Sequence, residues 1–89
     1  MKSLLATMNK SVLSKYEPLA AAGALLMPNI PKDHYLVLVA FTHSGLQSQY
    51  KEALTKEILS SAIKQMLDKY TLGKCSIEKK GDEYYLYDV

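Results

Sequence analysis

Eighty-nine residues and 10.0 kDa suit one domain and leave no room for two independent cores. Apolar residues at 48% and charged residues at 22% are ordinary for a folded chain and exclude intrinsic disorder. Eleven lysines against nine acidic residues give a net charge of +2, too even to point to a nucleic-acid or membrane partner, and the one cysteine excludes an internal disulfide and a multi-cysteine zinc site.

All the basic residues are lysine. Without arginine the chain lacks the planar fork that suits phosphate, carboxylate and guanine, which argues against sequence-specific DNA reading. Seven tyrosines with one phenylalanine put the aromatic surface into rings with a polar tip, at home on the rim of a core or in an interface.

Residues 3–17 read as an amphipathic helix, with Leu5, Met8, Val12 and Tyr16 at helical spacing and Leu4 and Leu13 beside them. The apolar start is cut short by Asn9 and Lys10, so it does not read as a secretory signal. Peripheral contact of this helix with an anionic membrane is the weaker reading, because so small a domain needs the same face for packing. Pro18 opens a second short helix through Leu26, and the apolar run from Leu19 to Met27 falls well below the roughly 20 residues a spanning helix needs. The chain is read as cytoplasmic, with the thiol of Cys75 reduced.

Pro28 and Pro31 frame an irregular connector. Tyr35-Leu36-Val37-Leu38-Val39-Ala40-Phe41 then reads as a strand, continuously apolar and so covered on both faces. Ser44, followed three residues later by Gln47, fits a capping box and predicts a helix from about Leu46 to Tyr70, terminated near Gly73. A hairpin closes the chain. Gly81-Asp82 suits a type II′ turn, and the register pairs Lys80 with Glu83, Glu78 with Tyr85, Ile77 with Leu86 and Ser76 with Tyr87. One hairpin face then carries Cys75, Ile77, Tyr84 and Leu86, and the other Ser76, Glu78, Tyr85 and Tyr87.

The expected fold is a single α+β domain over 1–89 in the order α-α-β-α-β-β. Its three-stranded sheet holds the C-terminal hairpin, packed by one long helix and an N-terminal helical segment. The connection from the apolar strand to the hairpin is long enough for a parallel crossover. Leu36-Val37-Leu38-Val39-Ala40, Lys56-Glu57-Ile58 and Lys69-Tyr70, with the order strand, long helix, terminal strand and an amphipathic N-terminus, resemble the topological specificity factor of the bacterial Min division system. The resemblance spans about half the chain, and Pro18 to Pro31 and the Thr42-to-Gly45 turn depart from it, so no functional residue is carried over.

The chemistry is sparse. His34 and His43 bracket the strand, roughly 30 Å apart at about 3.3 Å per residue, and share no coordination sphere, so neither a metal nor a cofactor is expected. Cys75 sits on the core face of the hairpin without a base beside it, and no glycine elbow surrounds Ser44, so the chain does not read as an enzyme. Thr42, His43, Ser44 and Gly45, at a strand end and helix start, are the best candidates for holding a small anion. The leading expectation is a non-enzymatic protein–protein interaction module (regulator, inhibitor or adaptor) forming a homodimer. The strand needs cover that one copy does not supply. Its interface residues would be Tyr35, Val37, Val39, Tyr85 and Tyr87. The alternatives are a non-specific nucleic-acid binder using its lysines, or a ligand-binding or enzyme subunit with its site at Thr42 to Gly45.

Overall fold

A computed structural model describes residues 2–26 and 28–88. In chain order these form β1 (Ser3–Asn9), α1 (Lys10–Ser14), α2 (Glu17–Leu26), α3 (Lys32–Tyr50), a 3-10 turn (Lys51–Ala53), α4 (Lys56–Thr71), β2 (Cys75–Lys80) and β3 (Glu83–Asp88). The sheet runs β1-β3-β2, with both pairings antiparallel. The class is α+β, as expected, and the sheet has three strands. The element order differs, because two segments exchange roles.

The hairpin matches expectation residue for residue: Lys80 faces Glu83, Glu78 faces Tyr85, Ile77 faces Leu86 and Ser76 faces Tyr87. Gly81 takes φ +61° at the first turn position, where a side chain would be strained. A two-stranded hairpin is marginal alone, and β3 gains its second partner from the N-terminus rather than from the middle of the chain. Met8 pairs with Tyr84 and Ala6 with Leu86, with a bulge at Leu5 between Leu4 and Ala6. The helix expected over 3–17 is therefore divided. Asn9 ends the strand, and its side-chain oxygen accepts a hydrogen bond from the Val12 amide at 2.8 Å, so it caps α1.

The strand expected over Tyr35 to Phe41 is the middle of α3. A short continuous apolar run does not distinguish a buried strand from a helix buried all round. α3 is the latter. Val37, Leu38, Val39 and Ala40 are each at most 1% exposed. One side packs with Met8, Leu13, Tyr84 and Leu86 above the sheet; the other meets Ala20 of α2, with Ile63, Leu67 and Tyr70 of α4 beside it. Each large apolar side chain so enclosed contributes about 1.5–3 kcal/mol. The shielding expected from a second copy comes from this chain's own helices and sheet.

The parallel crossover does not form. β1 and β2 run the same way, but β3 lies between them and the helices bridge the gap. Nor is there one long helix from Leu46 to Tyr70. α3 stops at Tyr50, Lys51 adopts φ 54°, and Thr55 caps α4 by accepting from the Ile58 amide at 3.2 Å. Gly73 terminates α4 as expected, with φ +75°. The Lys74 amide donates to Lys69 O (2.8 Å) and the Gly73 amide to Tyr70 O (3.1 Å), the paired bonds of a Schellman stop.

Candidate interaction edge and binding cavity

The Thr42-to-Gly45 segment lies inside α3, a turn and a half before its end, so the premise of a helix start with free amides is removed. Buried Thr42 donates its hydroxyl to Leu38 O at 2.8 Å, and His43 meets the Tyr16 ring edge-on at 5.3 Å between centroids. Ser44 and Gly45 are exposed on the helix surface. The geometry on which the anion reading rested, free amides at a helix start, is thus absent from Thr42 to Gly45. His34 and His43 are closer than a strand would set them, at about 1.5 Å of rise per residue. They still diverge: His34 Nδ1 is 2.8 Å from the Tyr70 hydroxyl, while His43 turns to Tyr16.

The five expected interface residues separate into two groups. Tyr35, Val37 and Val39 are 7%, 0% and 1% exposed and face neighbouring elements of the same chain, so they offer no surface to a partner. Tyr85 and Tyr87 stay together on the uncovered face of the sheet, half-buried. Lys80 Nζ lies 5.6 Å from the Tyr85 ring centroid and Lys2 Nζ 5.9 Å from that of Tyr87, within cation–π range. The Tyr85 hydroxyl donates to Glu83 at 2.8 Å; that bond and the carboxylate's charge raise its pKa.

The two sheet edges differ in chemistry. β2 carries Glu78, Lys79 and Lys80, charges of the kind that discourage edge-to-edge pairing. β1 has no charged residue from Ser3 to Asn9, and Leu4 and Leu5 are 54% and 44% exposed. A groove of about 440 Å³ lies between β1, α1 and α3, lined among others by Thr7, Val12, Tyr16, Phe41 and Gly45. Periodicity concealed this edge by reading the same leucines as a helical stripe.

A polar layer closes the other end of the molecule. The Asp33 carboxylate, in the first turn of α3, accepts from the His34 amide (3.0 Å) and from the Tyr84 hydroxyl (3.2 Å). An acid in that position also complements the helix dipole. With His34–Tyr70, these bonds tie α3 to β3 and to α4. Burial, reinforced by the Asp33 charge and hydrogen bond, raises the pKa of Tyr84; burial, then Cys75 and Asp33, raises that of Tyr70. Burial likewise pushes the Cys75 thiol up, opposed by Lys69, so it packs as a small apolar side chain, as the hairpin register implies. Above the layer opens a cleft of about 600 Å³ between α1, α2 and the start of α3, whose wall includes Leu13, Ala20, Leu36 and Tyr84. Asp33 and Tyr84 are 51 residues apart, and nothing in the spacing of the sequence marks them as partners.

Among the described residues, no cluster of three or more His, Cys, Asp and Glu side chains is placed to hold a metal ion, and no helix is long and apolar enough to cross a membrane. The resemblance to the Min specificity factor depended on a strand over Leu36 to Ala40, which is helical. No family model, no curated protein and no solved structure matches the chain.

Proposed function

We propose that the chain is a non-enzymatic protein–protein interaction module, a regulator, inhibitor or adaptor, that pairs with a second copy of itself through β1. The observation that carries this reading is the uncharged edge: seven residues from Ser3 to Asn9 without a charge, two of them exposed leucines. Antiparallel pairing of β1 with its symmetry mate about a twofold axis joins two three-stranded sheets into one of six strands. It satisfies the outward backbone groups of β1 and covers Leu4 and Leu5. The bulge at Leu5 directs the regular part of the new ladder to Ala6–Asn9. Tyr85 and Tyr87 then lie on the shared outer face, available to a further partner. The reading sets the protein in the cytoplasm, where its buried thiol stays reduced.

Sedimentation equilibrium over a wide concentration range tests the proposal against Leu5→Lys, which puts a charge on the edge at a half-exposed position. The native chain is expected to move from monomer to dimer, and the variant to remain monomeric with the melting temperature that the native chain has in dilute solution, where both are monomers. A native chain that stays monomeric throughout removes the reading. Oligonucleotide binding that weakens steeply with salt would favour the lysine-based nucleic-acid alternative instead.

A further inference from the structure

We infer that the cleft between α1, α2 and the first turn of α3 binds a small zwitterion with an apolar body, the chemistry of an apolar amino acid or a short apolar peptide. Its volume, about 600 Å³, falls in the usual range for small-ligand sites, roughly 300–1,000 Å³. The space exists because α2 presents Ala20 and Ala21 where larger side chains would fill it, opposite Leu13 and Leu36. These four residues form an apolar wall suited to an aliphatic or aromatic body.

The charged groups choose the ligand's ends. Lys10 and Lys32 line the cleft together with Glu17 and Asp33, two cations and two carboxylates. A ligand of one sign would be repelled by half of this set, whereas one carrying both signs has a partner for each. Asp33 is held in place for the task. Its two oxygens each accept one hydrogen bond, from the His34 amide and the Tyr84 hydroxyl, and each retains a second lone pair for an ammonium group. Tyr84 is 6% exposed, so this carboxylate rests on a fixed support and pays little ordering entropy on binding. The backbone of Lys10 is fixed where α1 begins, its amide donating to Asp82 O at 3.1 Å, so its exposed side chain springs from a set point on the cleft wall. The cleft is on the opposite side of α1 from the groove beside β1, and its occupancy does not require a second copy.

The test is an amide chemical-shift titration of the isotope-labelled native chain with leucyl-leucine, leucine, N-acetyl-leucyl-leucine amide and octanoate. Leucyl-leucine or leucine is expected to give saturable shifts at Lys10, Ala21, Asp33 and Leu36, and whichever binds tighter assigns the peptide or the free amino acid. The doubly blocked dipeptide and octanoate are expected to bind at least about tenfold more weakly, a difference of about 1.4 kcal/mol. Ala21→Trp, at an exposed helical position, should abolish the shifts while the rest of the spectrum keeps its dispersion. Absence of saturable shifts with both zwitterions would overturn the proposal. So would equal affinity for the blocked dipeptide or octanoate, or unchanged binding in Ala21→Trp.

Discussion

Gly23 lies inside α2, where alanine would normally be the better residue by about 1 kcal/mol. The structure predicts the opposite sign. A methyl group added at Gly23 would overlap the Tyr35 hydroxyl and stand 2.8 Å from its Cζ and 3.2 Å from its Cε1. Tyr35 is 7% exposed on the packed face of α3 and has little freedom to withdraw. Overpacking of this kind costs about 1–3 kcal/mol, so after the propensity gain Gly23→Ala should lose about 1 kcal/mol net. For a chain of this size that is a fall of about 4–8 °C in melting temperature. A Tyr35→Leu background shortens the opposing side chain, and there Gly23→Ala should stabilise by up to about 1 kcal/mol. Circular-dichroism melts of the four proteins in this cycle read the effect directly. If Gly23→Ala raised the melting temperature of the native chain as much as that of the Tyr35→Leu variant, the packing of α2 on α3 described above would be refuted.

Two further outcomes follow from the same geometry. Asn9→Ala removes the side-chain acceptor for the Val12 amide, and denaturant unfolding should show a loss of about 1 kcal/mol, with Asn9→Asp retaining most of the stability. Tyr35, Tyr70 and Tyr84 all have pKa values raised above 10.0, chiefly by burial. Their hydroxyls therefore hold protons more tightly in the folded chain than in the unfolded one. The resulting stability is fully present below about pH 10 and is lost as pH rises through the folded pKa values. Melting temperatures should fall on moving from about pH 9 to about pH 11, less so in Tyr35→Phe, and a flat profile would contradict the burial of these rings.

The C-terminal half of the sheet was legible because its signals are local and agree with one another. Gly81 sets the turn, the turn sets the register, and alternation then assigns Cys75, Ile77, Tyr84 and Leu86 to the core face. Gly73 was readable for the same reason. The middle of the chain misled because its apolar run is compatible with either kind of buried element. Two features of the sequence favour the helix: Leu36, Leu38 and Ala40 are good helix formers, and no Gly, Pro, Asn or Asp interrupts His34 to Ser44. That stretch is long for a strand. The N-terminus misled because Leu5, Met8, Val12 and Tyr16 keep helical spacing across a strand–helix junction, where Asn9 is the only local mark of the change. Ser44 with Gln47 imitated a capping box inside a continuous helix, while Thr55 provides the cap that starts α4.

The candidate-site residues were harder to read for a different reason. The Asp33–Tyr84 and His34–Tyr70 pairs join positions 51 and 36 residues apart, brought together only by the docking of α3 against β3 and α4. Tyr85 and Tyr87 could be placed, because their face follows from the hairpin register alone. Tyr35, Val37 and Val39 could not, since their availability depended on which element buried them. Once α3 is enclosed by its own chain, the ground for proposing a partner moves from the apolar central segment to the uncharged β1 edge.

Hydrogen–deuterium exchange of the native chain at low and high protein concentration separates these roles most directly. The β1 amides not bonded to β3 are predicted to exchange rapidly in dilute solution and to gain protection on concentration, while amides from Tyr35 to Thr42 stay protected throughout. Protection of β1 that does not change with concentration would contradict pairing of copies through this edge.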